Sequence, residues 1–167
     1  MKTAIMIIAM VFIASSLQSQ STVKKSELTW NSFETGMKKA QTSKKKILID
    51  VYTDWCSWCT KMDKEVYTDP KVREYLSKNF VIVKLNAEGN ETVHFKGQAF
   101  SPAQLAAEFG VTGYPATLFL KDDSDPITLL PGYMEAPMFL HVLSFIAENH
   151  YEKKQFDEYL KEKGVKQ

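Results

Sequence analysis

The chain has 167 residues, of which 44% are hydrophobic and 25% charged, proportions that are ordinary for one globular domain with its own core. Twenty-one Lys and Arg residues stand against 20 Asp and Glu residues, which leaves a formal net charge of +1. No overall electrostatic field therefore favours nucleic acid or an anionic membrane as a partner.

The first 20 residues have the order of a secretory signal peptide. Lys2 precedes an apolar stretch over residues 4–14, and small and polar residues follow to Gln20. The apolar stretch is shorter than the roughly 20 residues that cross a bilayer, which favours cleavage over a retained anchor. No cysteine lies near the expected cleavage region, so we do not expect a lipoprotein anchor. We expect residues 21–167 to be exported to the periplasm, with secretion as the second choice.

Apolar spacing and turn residues predict alternating strands and helices after one initial helix. An Asp-Pro pair and a Ser-Pro pair mark two helix starts, because the first residue can cap a helix and proline suits its first turn. The expected helices cover residues 31–42, 56–67, 69–76, 101–109, 138–146 and 151–163, and the expected strands cover residues 47–52, 80–86, 116–121 and 127–130. The polar segment 87–100 is expected to be an irregular insertion. This order predicts a single α/β domain.

The whole chain contains only two cysteines, Cys56 and Cys59. A pair with this spacing occurs in redox sites and in metal sites, and it could also be a structural disulfide. So small a ring would stabilise the fold by only about 2 kcal/mol, which disfavours the structural role. A copper(I) site using both thiolates and Met62 is chemically reasonable, because soft ligands suit that ion. Zinc normally takes four protein ligands, and the histidines available match no usual zinc spacing: His94, His141 and His150.

The position of the cysteine pair favours redox chemistry over metal binding. The pair follows a predicted buried strand and begins a predicted helix, whose unpaired N–H groups and positive dipole end stabilise a thiolate. The thiolate is the attacking species, so Cys56 is the expected nucleophile. Cys59, one turn further along, is expected to be more buried and to resolve the mixed disulfide.

Several separated segments resemble the thioredoxin superfamily, over roughly residues 46–149. Residues 50–59 have the family's strand, aspartate, tryptophan and cysteine pair in the same order. Residues 109–117 are similar to the segment that holds a cis-proline beside the cysteines. Residues 84–86 resemble the strand whose lysine lies near the buried aspartate, and Gly132 resembles the glycine before the last helix of the family's fold. Residues 54–56, 69–72 and 132–134 are similar to the C-terminal domains of the DsbD family of bacterial membrane reductant carriers.

The resemblance implies a thioredoxin fold, with a central mixed β-sheet flanked by helices, an N-terminal helix and a C-terminal helical tail. It also implies an exported thiol-disulfide oxidoreductase, most simply a dithiol reductase of periplasmic proteins that a membrane-bound thiol donor regenerates. Such a free-standing relative would be a monomer without a cofactor. The alternative from another class is a copper(I)-binding or partner-docking module without turnover.

The resemblance also assigns expected roles to individual residues. Asp50 would be buried, with a raised pKa, and would relay a proton from Cys59, with Lys84 as its supporting partner. The alternatives are that Asp50 lies at an exposed strand edge or is simply paired with Lys84. Pro115 would follow a cis peptide bond, which places the Tyr114 backbone where an extended substrate can pair with it.

The aromatic residues around the cysteines are the expected docking surface for substrates. Trp55, Trp58 and Tyr114 would surround the thiols, with Trp58 exposed between them, whereas Trp30 is assigned to the core. Thioredoxin itself has Gly-Pro between its cysteines and this chain has Ser57 and Trp58. That pair helps to set the reduction potential, so the direction of electron flow does not follow from it alone.

Overall fold

Helices and strands alternate along residues 27–165, the part of the chain that a computed structural model describes. The signal peptide expected over residues 1–20 lies outside the described residues. In chain order the elements are α1 (Phe33–Ser43), β1 (Lys46–Tyr52), α2 (Ser57–Glu65), α3 (Pro70–Asn79), β2 (Phe80–Asn86), β3 (Val93–Phe95), β4 (Gln98–Phe100), α4 (Pro102–Glu108), β5 (Ala116–Leu120), β6 (Pro126–Pro131), α5 (Ala136–Ala147), a 3₁₀ turn (His150–Glu152) and α6 (Phe156–Glu162). Within this range no helix combines the length and the apolar character that crossing a membrane requires.

Four strands form a central mixed sheet in the order β2-β1-β5-β6. Strand β1 is parallel to β2 and antiparallel to β5, and β6 is antiparallel to β5. Asp50 on β1 stands opposite Lys84 on β2 and opposite Thr117 on β5. The expected central mixed sheet is confirmed, and it brings the two charged residues side by side.

Both faces of the sheet are covered, which explains why β1 is apolar without interruption apart from Asp50. Side chains alternate between the faces of a strand. Ile47, Ile49 and Val51 pack in one core cluster with α1 and α4. Leu48 packs in the other cluster, with α3 and α5. Asp50 has the parity of Leu48 and therefore points to the α3 and α5 face.

The two expected cap-and-proline starts are confirmed. The Asp69 carboxylate accepts the backbone N–H groups of Lys71 and Val72 at 2.9 and 3.0 Å at the start of α3. At the start of α4, Ser101 and Gln104 form a reciprocal capping box. These bonds satisfy N–H groups that have no partner within the helix.

The prediction that residues 87–100 are irregular is wrong for their second half. Strands β3 and β4 form a two-stranded antiparallel hairpin, whose turn uses Lys96 and Gly97 with φ of 48° and 82°. Val93 is buried in the core, and the Phe95 ring packs edge-on against Phe33 at 6.1 Å. Phe100 on β4 packs against the same core cluster, so apolar side chains from both strands hold the hairpin against the domain.

The helical tail predicted over residues 151–163 is present, but it is divided into two pieces. The segment begins with the 3₁₀ turn, after Asn149 in the left-handed conformation with φ of 59°. Helix α6 begins only at Phe156. The left-handed residue turns the chain, so that Tyr159 and Leu160 are buried in the core cluster of α5.

Candidate active site

A disulfide joins Cys56 and Cys59 at the start of α2, with their Cα atoms 5.2 Å apart. Cys56 is the N-cap of this helix, and its sulfur accepts the backbone N–H of Cys59 at 3.1 Å. The expected helix therefore begins at the cysteine pair, as predicted. The contact places the Cys56 sulfur at the positive end of the helix dipole, where a sulfur anion is favoured.

The two cysteines are almost equally buried in this oxidised form. Cys56 is 5% exposed and Cys59 is 4% exposed. The expectation that Cys59 is clearly more buried is therefore not met. The bond between the sulfurs holds both of them against the same part of the fold, so exposure does not distinguish the nucleophile from the resolving thiol.

Two exposed tryptophans flank Cys56. Among the described residues, Trp55 and Trp58 are the large hydrophobic side chains that remain exposed, at 68% and 54%. The Trp55 ring lies edge-on to Tyr114 with centroids 6.1 Å apart, and its indole N–H donates to Glu88 at 2.9 Å. Trp55 and Trp58 each directly precede a cysteine of the disulfide. Tyr114 joins them through its ring contact with Trp55.

Trp58 contacts Tyr133 and Lys61, two residues that the sequence analysis did not assign to the site. The Trp58 ring lies 5.4 Å from that of Tyr133. The Lys61 ammonium sits 5.0 Å from the Trp58 ring centroid and 4.8 Å from that of Tyr133. The Tyr133 hydroxyl donates to Glu65 at 3.0 Å. The spacing of Trp58 and Lys61, three apart on a helix, is the signal that could have identified this pair.

The peptide bond between Tyr114 and Pro115 is cis, as expected. Pro115 is buried and directly precedes β5. Its carbonyl accepts the backbone N–H of Gly132 at 2.8 Å. The bond ties the segment before β5 to the end of β6, next to Tyr133.

Asp50 is both buried and paired. The residue is 2% exposed, so the exposed-edge alternative is wrong. Its Oδ2 lies 2.7 Å from the Lys84 ammonium, as the pairing alternative required. Asp63 on α2 lies 2.5 Å from the same ammonium and was missed, because it stands among the charged residues of a surface helix. The structure therefore holds one lysine between two carboxylates.

Burial and pairing act in opposite directions on these groups. Burial raises the pKa of Asp50, and the neighbouring Lys84 charge only partly offsets this effect. For Lys84, burial alone would lower the pKa, but the charges and hydrogen bonds of Asp50 and Asp63 outweigh it, so the pKa is raised. Asp50 therefore holds its proton more tightly than an ordinary aspartate, beside a lysine whose charge is stabilised.

Two of the histidines considered for metal binding contact glutamates instead. His94 contacts Glu34 at 3.2 Å and His150 contacts Glu148 at 3.1 Å. Met62 is buried in the core cluster of α3 and α5. Over residues 27–165 no group of three or more His, Cys, Asp or Glu side chains is placed to hold a metal ion.

This chain is similar to known proteins in sequence and in fold. The family model described as a thioredoxin-like domain matches residues 33–147. The thiol:disulfide interchange protein DsbD of Yersinia pestis is 31% identical over 106 residues, which are 62% of this chain and 16% of that protein. The chain therefore spans only a small part of the length of the curated relatives it matches.

Solved structures agree with the family match. A thioredoxin-fold protein from Helicobacter pylori has a TM-score of 0.63 at 26% identity, over 72% of this chain and 80% of that chain. The oxidised C-terminal domain of DsbD from Neisseria meningitidis has a TM-score of 0.50 at 20% identity, over 72% of this chain and 99% of that chain. At that identity the second likeness concerns the fold alone.

Proposed function

We propose that this chain, which belongs to the thioredoxin-like domain family, is an exported thiol-disulfide oxidoreductase that reduces disulfides of periplasmic proteins. The observation that carries the proposal is the disulfide between Cys56 and Cys59 at the N-terminus of α2, flanked by two exposed tryptophans. A reversible disulfide needs a stabilised thiolate and an accessible surface around it. The helix N-terminus at Cys56 supports the first, and the exposed tryptophans support the second.

The reaction transfers two electrons from the reduced cysteine pair to a substrate disulfide. The Cys56 thiolate attacks one substrate sulfur, which forms a mixed disulfide and expels the other substrate sulfur as a thiolate. The Cys59 thiolate then attacks the Cys56 sulfur and expels the second substrate thiolate. The expelled thiolates take up protons. The product is the oxidised pair seen in the structure.

Asp50 is proposed to take the proton that Cys59 must lose before it attacks. The strand that carries Asp50 leads directly into the disulfide segment, and the raised pKa of this buried carboxyl makes it a better base than an ordinary aspartate. Lys84 holds the ionised form, and Asp63 on the outer side of Lys84 is half-exposed. This arrangement supports a proton path from Asp50 toward solvent.

Substrates are proposed to bind across the surface formed by Trp55, Trp58 and Tyr114. Large exposed aromatic side chains favour contact with another polypeptide. The backbone of Tyr114 at Pro115 would pair with an extended segment of the substrate in a β-like manner. Tyr133 and Lys61 extend this surface on the side of Trp58.

The expected partners follow from the relatives and remain part of the proposal. The match to DsbD, named a thiol:disulfide interchange protein, supports protein thiols as substrates and a membrane-bound thiol donor that restores the dithiol. The signal-peptide pattern over residues 1–20 supports export. The protein would then work as a periplasmic monomer in redox homeostasis.

An insulin-reduction assay tests the proposal. The wild-type protein should catalyse the reduction, and Cys56→Ser should reduce the rate to that of the uncatalysed reaction. Cys59→Ser should keep the first attack and accumulate a mixed disulfide, because the resolving thiol is gone. If the wild type and Cys56→Ser are indistinguishable, the proposed function is wrong.

The reduction potential tests the direction of electron flow. A value near the −270 mV typical of thioredoxin would support a reductase, and a value near about −120 mV would indicate an oxidase instead. The measurement is an equilibrium of the protein with a glutathione redox buffer, read by thiol labelling of Cys56 and Cys59.

A further inference from the structure

Three aromatic rings surround the Lys84 ammonium. Its Nζ lies 5.1 Å from the ring centroid of Trp30, 4.8 Å from that of Tyr52 and 5.6 Å from that of Tyr67. We call these three residues the aromatic cage. A cation within about 6 Å of an aromatic ring centroid is attracted by the electrons of the ring face. Lys84 is thus held by the cage as well as by its two carboxylates.

The cage joins three separate parts of the chain, and Trp30 comes from the segment before α1. Trp30 is half-buried rather than part of the closed core, and it packs edge-on against Tyr67 with centroids 4.9 Å apart. The next residue, Asn31, pairs with β2 and accepts the backbone N–H of Lys84 itself at 3.2 Å. The backbone next to Trp30 is therefore hydrogen-bonded to Lys84, the residue that the Trp30 ring covers.

Trp30 lies at a groove of about 640 Å³ that leads from solvent to the lysine. The groove is lined by Trp30 and Tyr67 of the cage and by four charged residues: Glu27, Asp63, Arg73 and Lys84. Its charged groups thus come from the N-terminal segment, α2, α3 and β2. Asp54, after β1, adds a further negative charge near Tyr52. The ring of Trp30 stands among these groups and covers one side of Lys84.

Few polar groups lie close to the buried carboxylate of Asp50 on the inner side of Lys84. The second carboxylate oxygen of Asp50 is fully buried and has no hydrogen-bond partner among the described residues. The Tyr67 hydroxyl is in the same situation, although it lies close enough to Asp50 to affect its pKa. Lys84 is therefore the ion-pair partner of Asp50, and the Tyr67 hydroxyl is another polar group that affects its pKa. Water that reached the pair would add solvation to the buried carboxylate.

We infer that Trp30 is a positioning residue for the proposed reaction, whose ring covers one side of Lys84 and limits the access of water to the buried carboxylate of Asp50. Lys84 is 20% exposed at the groove and Asp50 is 2% exposed, so the ring shields the inner member of the pair. This inference rests on the proposed function of Asp50 as the base for Cys59. The contacts of Lys84 with Asp50 and Asp63 do not involve Trp30, so loss of the ring should keep the ion pair and admit more water to it.

Removal of the Trp30 ring should change the pKa of Asp50 in one direction. Burial is the largest cause of the raised pKa of Asp50. Water admitted to the pair weakens that effect, while the Lys84 charge continues to favour the ionised carboxylate. The pKa of Asp50 should therefore fall when Trp30 is truncated.

The experiment compares Trp30→Ala and Trp30→Phe in the oxidised protein, where the cysteines do not titrate. The carboxyl ¹³C shift of Asp50 is followed by NMR against pH. Trp30→Ala should lower the midpoint by about half a pH unit or more, a roughly threefold change in proton affinity, and Trp30→Phe should stay near the wild type. The neutral limb of the insulin-reduction pH profile should shift in the same direction.

Phe95→Ala is the matched control, because Phe95 is also half-buried, packs on two other rings and has Lys96 at 5.6 Å from its centroid. It lies on the hairpin and should leave the Asp50 midpoint unchanged. If Trp30→Ala does not fold, Trp30→Leu replaces it, with the same expected direction. An Asp50 midpoint that equals the wild type in the truncated variant would overturn the inference. A wild type inactive on insulin would instead overturn the proposed function and leave the titration result standing.

Discussion

Replacing Asp50 with asparagine removes a buried negative charge and keeps the shape of the side chain. The wild-type carboxylate has one bonded oxygen, 2.7 Å from Lys84, and one buried oxygen without a partner. Asparagine can still accept from Lys84, and its amide has the Tyr67 hydroxyl nearby as an acceptor. Lys84 keeps Asp63, so no buried charge is left alone. We therefore expect Asp50→Asn to stabilise the oxidised protein near pH 8.

The size of this gain follows from two opposing contributions. Ionised Asp50 loses several kcal/mol of hydration on burial, and a hydrogen bond to a charged group returns about 1.5–3 kcal/mol. The asparagine retains part of that bond. The difference leaves a gain of about 2 kcal/mol in the free energy of unfolding at a pH where wild-type Asp50 is ionised.

The stability gained by Asp50→Asn must increase with pH. The pKa of Asp50 is raised in the folded protein above its ordinary value of 3.8, so its ionisation opposes folding. Below the unfolded value both states are protonated and the opposition is absent. It grows as the pH rises and is complete above the folded pKa. The stability difference between the variant and the wild type should therefore be small near pH 4 and should increase as the pH rises through the folded pKa of Asp50.

Urea denaturation of the oxidised proteins at about pH 4 and about pH 8 measures this difference. Asp54→Asn is the control, since it makes the same chemical change at an exposed position of the same segment and should alter stability by less than about 0.5 kcal/mol. An Asp50→Asn variant that is less stable than the wild type at the higher pH, or a gain that does not change with pH, would refute the reasoning.

Three further predictions concern packing, capping and substrate binding. Gly36→Ala should lower stability by about 1 kcal/mol or more, because the added Cβ would stand 2.2 Å from the rigid side chain of Val83; thermal melts check this. Asp69→Ala should cost about 1 kcal/mol by removing the cap of α3, and Asp69→Asn should restore most of it; urea titrations of both variants decide. Trp58→Ala should lower kcat/KM for insulin by about tenfold if its exposed ring binds substrate, while reduction of its disulfide by dithiothreitol keeps the wild-type rate; an unchanged kcat/KM would remove Trp58 from the docking surface.

Local signals in the sequence were sufficient for the elements that form the sheet and its flanking helices. The run before Asp50 predicts β1 because it is apolar on both faces, and the Asp69 and Ser101 caps predict the starts of α3 and α4. The hairpin was missed because its strands are only three residues long, and Val93 is their one buried residue. Gly97 at its turn was visible, but the burial of Val93 depends on contacts with α1 that the sequence does not display.

In the site, too, local sequence signals identify some residues, whereas others depend on contacts between distant segments. Asp50 stands out in the sequence because a charge within an apolar strand is costly unless it is paired. Asp63 has no such signal, because its contact with Lys84 joins residues 21 positions apart and its neighbours are the charges of an ordinary surface helix. Trp30 and Tyr67 were missed for the same reason, since the cage exists only once three segments meet around one ammonium group.

The two outer edges of the central sheet offer little to an additional strand. Along β2, Asn31 occupies the middle of the edge through backbone bonds with Ile82 and Lys84. Along β6, Pro126 and Pro131 stand at the two ends, where each lacks the N–H that an incoming chain would need. Open edges are the usual starting points for β-aggregation. A protein proposed to pair with extended segments of its substrates needs such pairing to be confined to one place. The blocked edges leave the reversible contacts around the disulfide as that place.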